Sequence, residues 1–89
     1  MAIRTLNIIN EKGLHARASA KLVEVVEAHE ARAEVRRDGM DASGDSIMGL
    51  LMLAASKGTS IEVETSGDQA DALLEAIDAL VADKFGEDF

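Results

Sequence analysis

The densest chemical grouping in the chain is Gly13-Leu14-His15-Ala16-Arg17. Imidazole is a nucleophile in its neutral form, and guanidinium is a permanent cation. A strand-like run enters this stretch and a helix-like run leaves it, so His15 falls at the first turn of a helix. There the backbone N–H groups lack intrahelical partners and the dipole favours an anion. Arg17 is close enough to reach the same anion, and Gly13 permits a tight backbone path before it. Together they make a seat for a phosphoryl group, whose transfer depends on positioning and charge stabilisation. The nucleophile must be neutral, and a helix N-terminus disfavours imidazolium. The plainer alternative is a helix-start histidine serving only local hydrogen bonds. Gly13, Arg17 and the helix start weigh against it.

The elements around this stretch must position it. Residues 3–9 read as a strand, with Leu6 and Ile8 flanking Asn7 at period two, and residues 10–14 read as a loop. A helix follows from about His15 or Ala16 to about His29, burying Ala18, Leu22, Val25 and Val26. Ala31, Ala33 and Val35 alternate with charged residues as a second strand, and Asp38-Gly39 supplies a hairpin turn into a short third strand at residues 40–42. Ile47 to Ala55 is nearly all apolar, either a buried strand or a short helix. Its leucines, methionines and alanines and the serine before it favour helix. Ile61, Val63 and Thr65 form a fourth strand. Ser66 with Gln69 matches a capping box ahead of an amphipathic helix carrying Ala70, Leu73, Leu74, Ile77, Leu80 and Val81, which fades near Gly86 into an acidic tail. The order βαββαβα predicts an α+β open-faced two-layer sandwich: a four-stranded antiparallel sheet with three helices on one face.

With 89 residues, no proline and no cysteine, one domain spanning 1–89 is expected, its core filled by aliphatic side chains and alanine. There is no disulfide frame, thiol nucleophile or zinc-type cluster. The N-terminus lacks a signal-peptide pattern and no apolar run is long enough to span a membrane, which predicts a cytoplasmic protein. The net charge of −8 argues against nucleic acid as partner. Residues 1–61 balance eight basic against eight acidic side chains, whereas residues 62–89 hold nine acids and Lys84 alone. Negative charge therefore gathers far along the chain from His15, predicting an acidic back and a neutral front.

Gly13-Leu14-His15-Ala16-Arg17 resembles the active-site signature of the HPr family, the histidine-containing phosphocarriers of the phosphotransferase system. Chain length, element order and a second serine site extend the resemblance over nearly the whole chain. It implies that His15 accepts a phosphoryl group from Enzyme I, through Nδ1 in relatives, and passes it to an EIIA-type acceptor. It implies Arg17 as electrostatic clamp and backbone N–H groups of Ala16 and Arg17 as further donors. It also implies a monomeric carrier rather than an enzyme, without cofactor, acting in sugar uptake or in nitrogen-type regulation. Ala18 stands where most relatives carry proline, which loosens the helix start. Glu24 and Glu27 stand where some relatives carry lysines, which alters partner selection.

Ser46 reads first as a helix N-cap, with Ser43 and Asp45 as alternative caps. By resemblance, Asp45-Ser46-Ile47-Met48-Gly49 is the stretch modified by HPr kinase/phosphorylase. A nine-residue apolar run is hard to bury completely, so Ile47, Met48 and Leu51 are expected to dock partners, with Leu50 and Leu53 in the core. His29 reads as a helix C-terminal residue, and no metal site is expected. A small enzyme using His15 as general base is disfavoured, because no carboxylate partner is evident for the ring.

Overall fold

The computed structural model describes residues 1–88. It contains β1 (Ala2–Asn7), α1 (Ala16–Glu27), β2 (Arg32–Arg37), β3 (Met40–Ser43), α2 (Ile47–Met52), β4 (Ser60–Ser66), α3 (Ala70–Ala82) and a short turn at Lys84–Gly86. The strands form one antiparallel sheet in the order β1-β4-β2-β3. Period-two alternation sets its two faces. Leu6, Ala33, Val35, Ala42, Ile61, Val63 and Thr65 turn inward and are buried, and the helices lie on that side. α3 crosses β1 and β4, α2 packs on β3, and α1 lies beside both helices. The outer face stays wet; across it Arg36 bridges Glu62 and Glu64 at 3.1 and 2.7 Å. The predicted open-faced sandwich is therefore the fold.

The hairpin follows from its turn residues. Asp38 and Gly39 have φ of 50° and 79°, the paired left-handed conformation that matches strand twist. In α1 the buried stripe is Ala18, Ser19, Leu22, Val23 and Val26, so Val23 rather than Val25 completes it, and the helix ends at Glu27, short of His29. The His29 ring instead donates to the Val25 carbonyl at 2.7 Å, closing the last turn. α2 stops at Met52, because Ala54 takes a φ of 51° and turns the chain.

The predicted capping box at Ser66 does not form. Gln69 is the cap residue of α3 and its side chain makes no cap bond; its Oε1 accepts from the Glu30 N–H at 2.6 Å. Nor is the core wholly aliphatic. Phe85 is completely buried and packs into the cluster containing Leu22, Leu73 and Ile77. Phe89, the other aromatic, lies outside the described residues.

Candidate functional site

Three segments meet at the start of α1. The first is the loop at residues 8–15, whose path depends on Gly13. Its φ is +63°, and a Cβ there would lie 2.4 Å from the Ala55 carbonyl oxygen. That oxygen accepts the Leu14 N–H at 2.8 Å, so the loop is pinned to the chain just after α2. Asn10 is fully buried beneath it, and its Nδ2 donates to the Gly13 carbonyl at 2.9 Å.

The second segment is the first turn of α1. His15 is the N-cap, with extended backbone (φ −83°, ψ −174°), and its carbonyl accepts the Ser19 N–H at 2.8 Å. Its side chain does what Ser or Asp does at other caps: Nδ1 accepts from the Arg17 N–H at 3.3 Å. The ring is half-buried, its side chain 27% exposed. Arg17 is exposed and lines the same open hollow, together with Ala16, Lys12 and Lys21.

The third segment is the C-terminal turn. Lys84, Phe85 and Gly86 all have positive φ (56°, 54° and 77°) and fold the chain back toward α1. Phe85 anchors the turn in the core, and Lys21 Nζ donates to its carbonyl at 2.6 Å. Glu87 is delivered onto His15: its Oε2 bonds Nε2 of the ring, and its Oε1 accepts from Asn10 Nδ2 at 3.0 Å. These hydrogen bonds, from His15 first and Asn10 second, hold the Glu87 carboxyl below its ordinary range, with Lys12 adding to the effect and desolvation opposing it.

The two ring contacts assign the tautomer. An ionised carboxylate only accepts, so Nε2 carries the proton. A backbone N–H only donates, so Nδ1 presents its lone pair. The site therefore joins an unprotonated nucleophilic nitrogen to a helix N-terminus and an exposed cation, a constellation suited to receiving a phosphoryl group.

Residues 3–83 match the family model described as the PTS HPr component phosphorylation site. The chain belongs to the HPr family of phosphocarriers. It is 41% identical over 87 residues to phosphocarrier protein HPr of Cupriavidus necator, covering 98% of each chain. It is also 41% identical over 86 residues to phosphocarrier protein NPr of Escherichia coli, covering 96% of each. Among solved structures, an HPr from Thermoanaerobacter tengcongensis superposes with a TM-score of 0.94 at 31% identity, over 100% of both chains.

Within this HPr fold, His15, Ala16 and Arg17 lie together at the start of α1, while Ser46 lies on a separate element. Ser46 caps α2: its Oγ accepts the Gly49 N–H at 3.1 Å. The alternative caps satisfy each other instead, Ser43 Oγ donating to Asp45 at 2.6 Å. Ile47 is 40% and Met48 70% exposed, and Leu50 and Leu53 are buried. Leu51 is only half-buried, and Met52, at 71% exposed, adds an apolar side chain that the sequence reading had not assigned to docking. Among the described residues no acidic, histidine or cysteine cluster is arranged to hold a metal ion, and no helix is long and apolar enough to cross a membrane.

Two residues of this site escaped the sequence reading. Glu87 overturns both the absence of a carboxylate partner for His15 and the placing of the acidic tail away from it. Asn10 carries no sequence signal beyond that of a loop residue. Nothing in the local pattern marks either, because their roles depend on a return of the chain at Lys84–Gly86.

Proposed function

We propose that this chain, a monomeric single domain of residues 1–89 in the cytoplasm, relays phosphoryl groups through His15. Phosphorylated Enzyme I, charged by phosphoenolpyruvate, is the donor, and an EIIA-type protein or domain is the acceptor. The observation that carries the reading is the unprotonated Nδ1 at the N-terminus of α1, held at 3.3 Å by the Arg17 N–H alone among the described residues and beside the Arg17 side chain. In the transfer the Arg17 N–H lets go of Nδ1 and turns to a phosphoryl oxygen, Nδ1 attacks phosphorus in line as the donor's bond to phosphorus breaks, and the electron pair of that bond leaves with the donor. The amides of Ala16 and Arg17 and the Arg17 guanidinium balance the phosphoryl oxygens. No cofactor or metal takes part, and neither nucleic acid nor membrane insertion is involved. A half-open site with one guanidinium holds its cargo loosely enough to give it up.

Ile47, Met48 and Leu51, with Met52, form the docking surface for donor and acceptor. Ser46 is the regulatory position for an HPr kinase/phosphorylase; a phosphate there sits at a helix start, where the fold tolerates it, and opposes an acidic partner surface.

The 41% identity to a relative named NPr lies within the 37–44% found for relatives named HPr, which supports a second reading. In it the same chemistry serves a nitrogen-type regulatory branch instead of sugar transport.

Incubation with Enzyme I and phosphoenolpyruvate tests the reading. The expected product is an acid-labile, base-stable adduct that is lost in His15→Ala. An adduct that persists in His15→Ala, or none in the wild type, defeats it.

A further inference from the structure

Glu87 has no part in the transfer as described above, yet its placement is built from several elements. Its Oε1 is held by Asn10, a fully buried side chain whose two amide protons serve Gly13 and Glu87. Both of those partners are acceptors, which fixes the amide orientation, and Asn10 Oδ1 is left buried without a partner among the described residues. Leaving a buried acceptor unpaired is costly. The arrangement sacrifices it to aim one N–H at the loop before His15 and the other at the carboxylate on the His15 ring. The turn that brings Glu87 there takes left-handed conformations at Lys84 and Phe85, which side-chain-bearing residues seldom adopt, and it is secured by a buried aromatic and by Lys21.

We propose that Glu87 is a positioning residue for phosphoryl transfer at His15: it keeps the ring proton on Nε2 and neutralises the charge the ring gains at Nδ1. The inference rests on the phosphocarrier reading. When the lone pair of Nδ1 forms the N–P bond, no proton leaves that nitrogen. The ring retains its Nε2–H and takes on a positive charge, while the displaced electron pair stays with the donor. That charge faces Glu87 across the Nε2–H bond, on the ring edge opposite the phosphoryl group. When the acceptor's nucleophile takes the phosphoryl group, the N–P electron pair returns to Nδ1 and the charge disappears. A carboxylate on the far nitrogen thus stabilises the charged ring more than the resting one, which is the condition for lowering the barrier. It acts on the ring as the orienting carboxylate acts in histidine–carboxylate pairs, without touching phosphorus.

The test uses the full chain, wild type and Glu87→Gln, with Glu87→Asp as conservative rescue. In the unphosphorylated wild type at about pH 8, above the ordinary imidazole range, a downfield proton resonance coupled to Nε2 of His15 is expected. It should be lost in Glu87→Gln and partly retained in Glu87→Asp. Phosphoryl uptake from phosphorylated Enzyme I should fall roughly tenfold in Glu87→Gln and recover in part with Asp. Thermal melts establish that each variant is folded. An unchanged Nε2 proton signal in folded Glu87→Gln overturns the proposal, as does an unchanged uptake rate. Loss of rate with the proton signal intact also overturns it, because the tail would then act only through folding or docking. If the wild type itself takes no phosphoryl group, the phosphocarrier reading fails; if it does and Glu87→Gln matches it, Glu87 alone is wrongly assigned.

Discussion

Gly13 lies so close to Ala55 that a Cβ on the glycine would sit 2.4 Å from the Ala55 carbonyl oxygen and 2.8 Å from the Cα of Ser56. Both obstacles are backbone and cannot swing aside. Gly13→Ala must therefore break the Leu14–Ala55 hydrogen bond and shift the loop that enters His15, in addition to straining a φ of +63°. A loss of about 2–3 kcal/mol is expected, which lowers the melting temperature by roughly 10 °C or more. Gly39→Ala is the control. Its φ is +79° but no atom lies within 4 Å of the added Cβ, so only the backbone cost of about 1–2 kcal/mol remains. Equal losses in thermal melts of the two variants would remove close approach as the reason for glycine at position 13.

Ser46 supplies the only side-chain cap of a helix of six residues, so Ser46→Ala leaves the Gly49 N–H without its acceptor. The expected loss is about 1 kcal/mol. Ser46→Asp keeps an acceptor at the cap and adds a charge that the helix dipole favours, so its melting temperature should return to near the wild-type value. The same negative charge beside Ile47 and Met48 should slow phosphoryl exchange with an acidic partner, with the penalty shrinking as salt is raised. A melt in which Asp is no better than Ala removes the capping role.

The sheet was legible because its signal is local. Alternation in Ala33–Val35 and Ile61–Thr65 and the Asp38-Gly39 turn fix which faces are buried within a few residues of chain. The parts of the proposed phosphoryl seat were visible for the same reason, since Gly13, His15 and Arg17 are neighbours in sequence. What failed were features decided by distant segments. The capping box at Ser66 lost to the Glu30 N–H, which draws the Gln69 side chain away. Arg4 read simply as a strand residue, yet it reaches α3 and binds Glu75 at 2.9 Å and Asp78 at 2.6 Å. Glu87 is 72 positions from His15, and no periodicity announces a left-handed turn carried by lysine and phenylalanine.

The depressed Glu87 carboxyl makes stability depend on pH in a defined direction. Folding favours the ionised form, so the contribution is complete above the ordinary glutamate value of about 4.3 and is lost as pH falls through the lower folded value. Glu75, held down by Arg4, acts in the same direction, so the wild-type profile alone does not isolate Glu87. The difference between wild type and Glu87→Gln does. The gap in melting temperature between them should be fully present above the ordinary glutamate value of about 4.3 and close as the pH falls below it. A gap that is constant from neutral to acid pH would mean that the carboxylate's charge has no part in holding the tail to His15.

Phe85 decides whether that tail is a fixed part of the site. Its side chain is fully buried in the core, yet its φ of 54° is one a phenylalanine seldom adopts, so packing must outweigh backbone strain. Phe85→Ala removes the packing and keeps most of the strain. The cost should reach about 3–4 kcal/mol, a large share of the stability of a small domain. Phe85→Leu should retain much of the burial and lose about half as much. Because Lys21 bonds the Phe85 carbonyl rather than its ring, the turn can persist in the leucine variant. Hydrogen exchange distinguishes the outcomes: Phe85→Leu should keep the amides of Gly86 and Glu87 protected, and Phe85→Ala should release them before the sheet opens. Release of these amides in both variants at once, with little change in melting temperature, would show that the aromatic ring does not anchor the segment that presents Glu87.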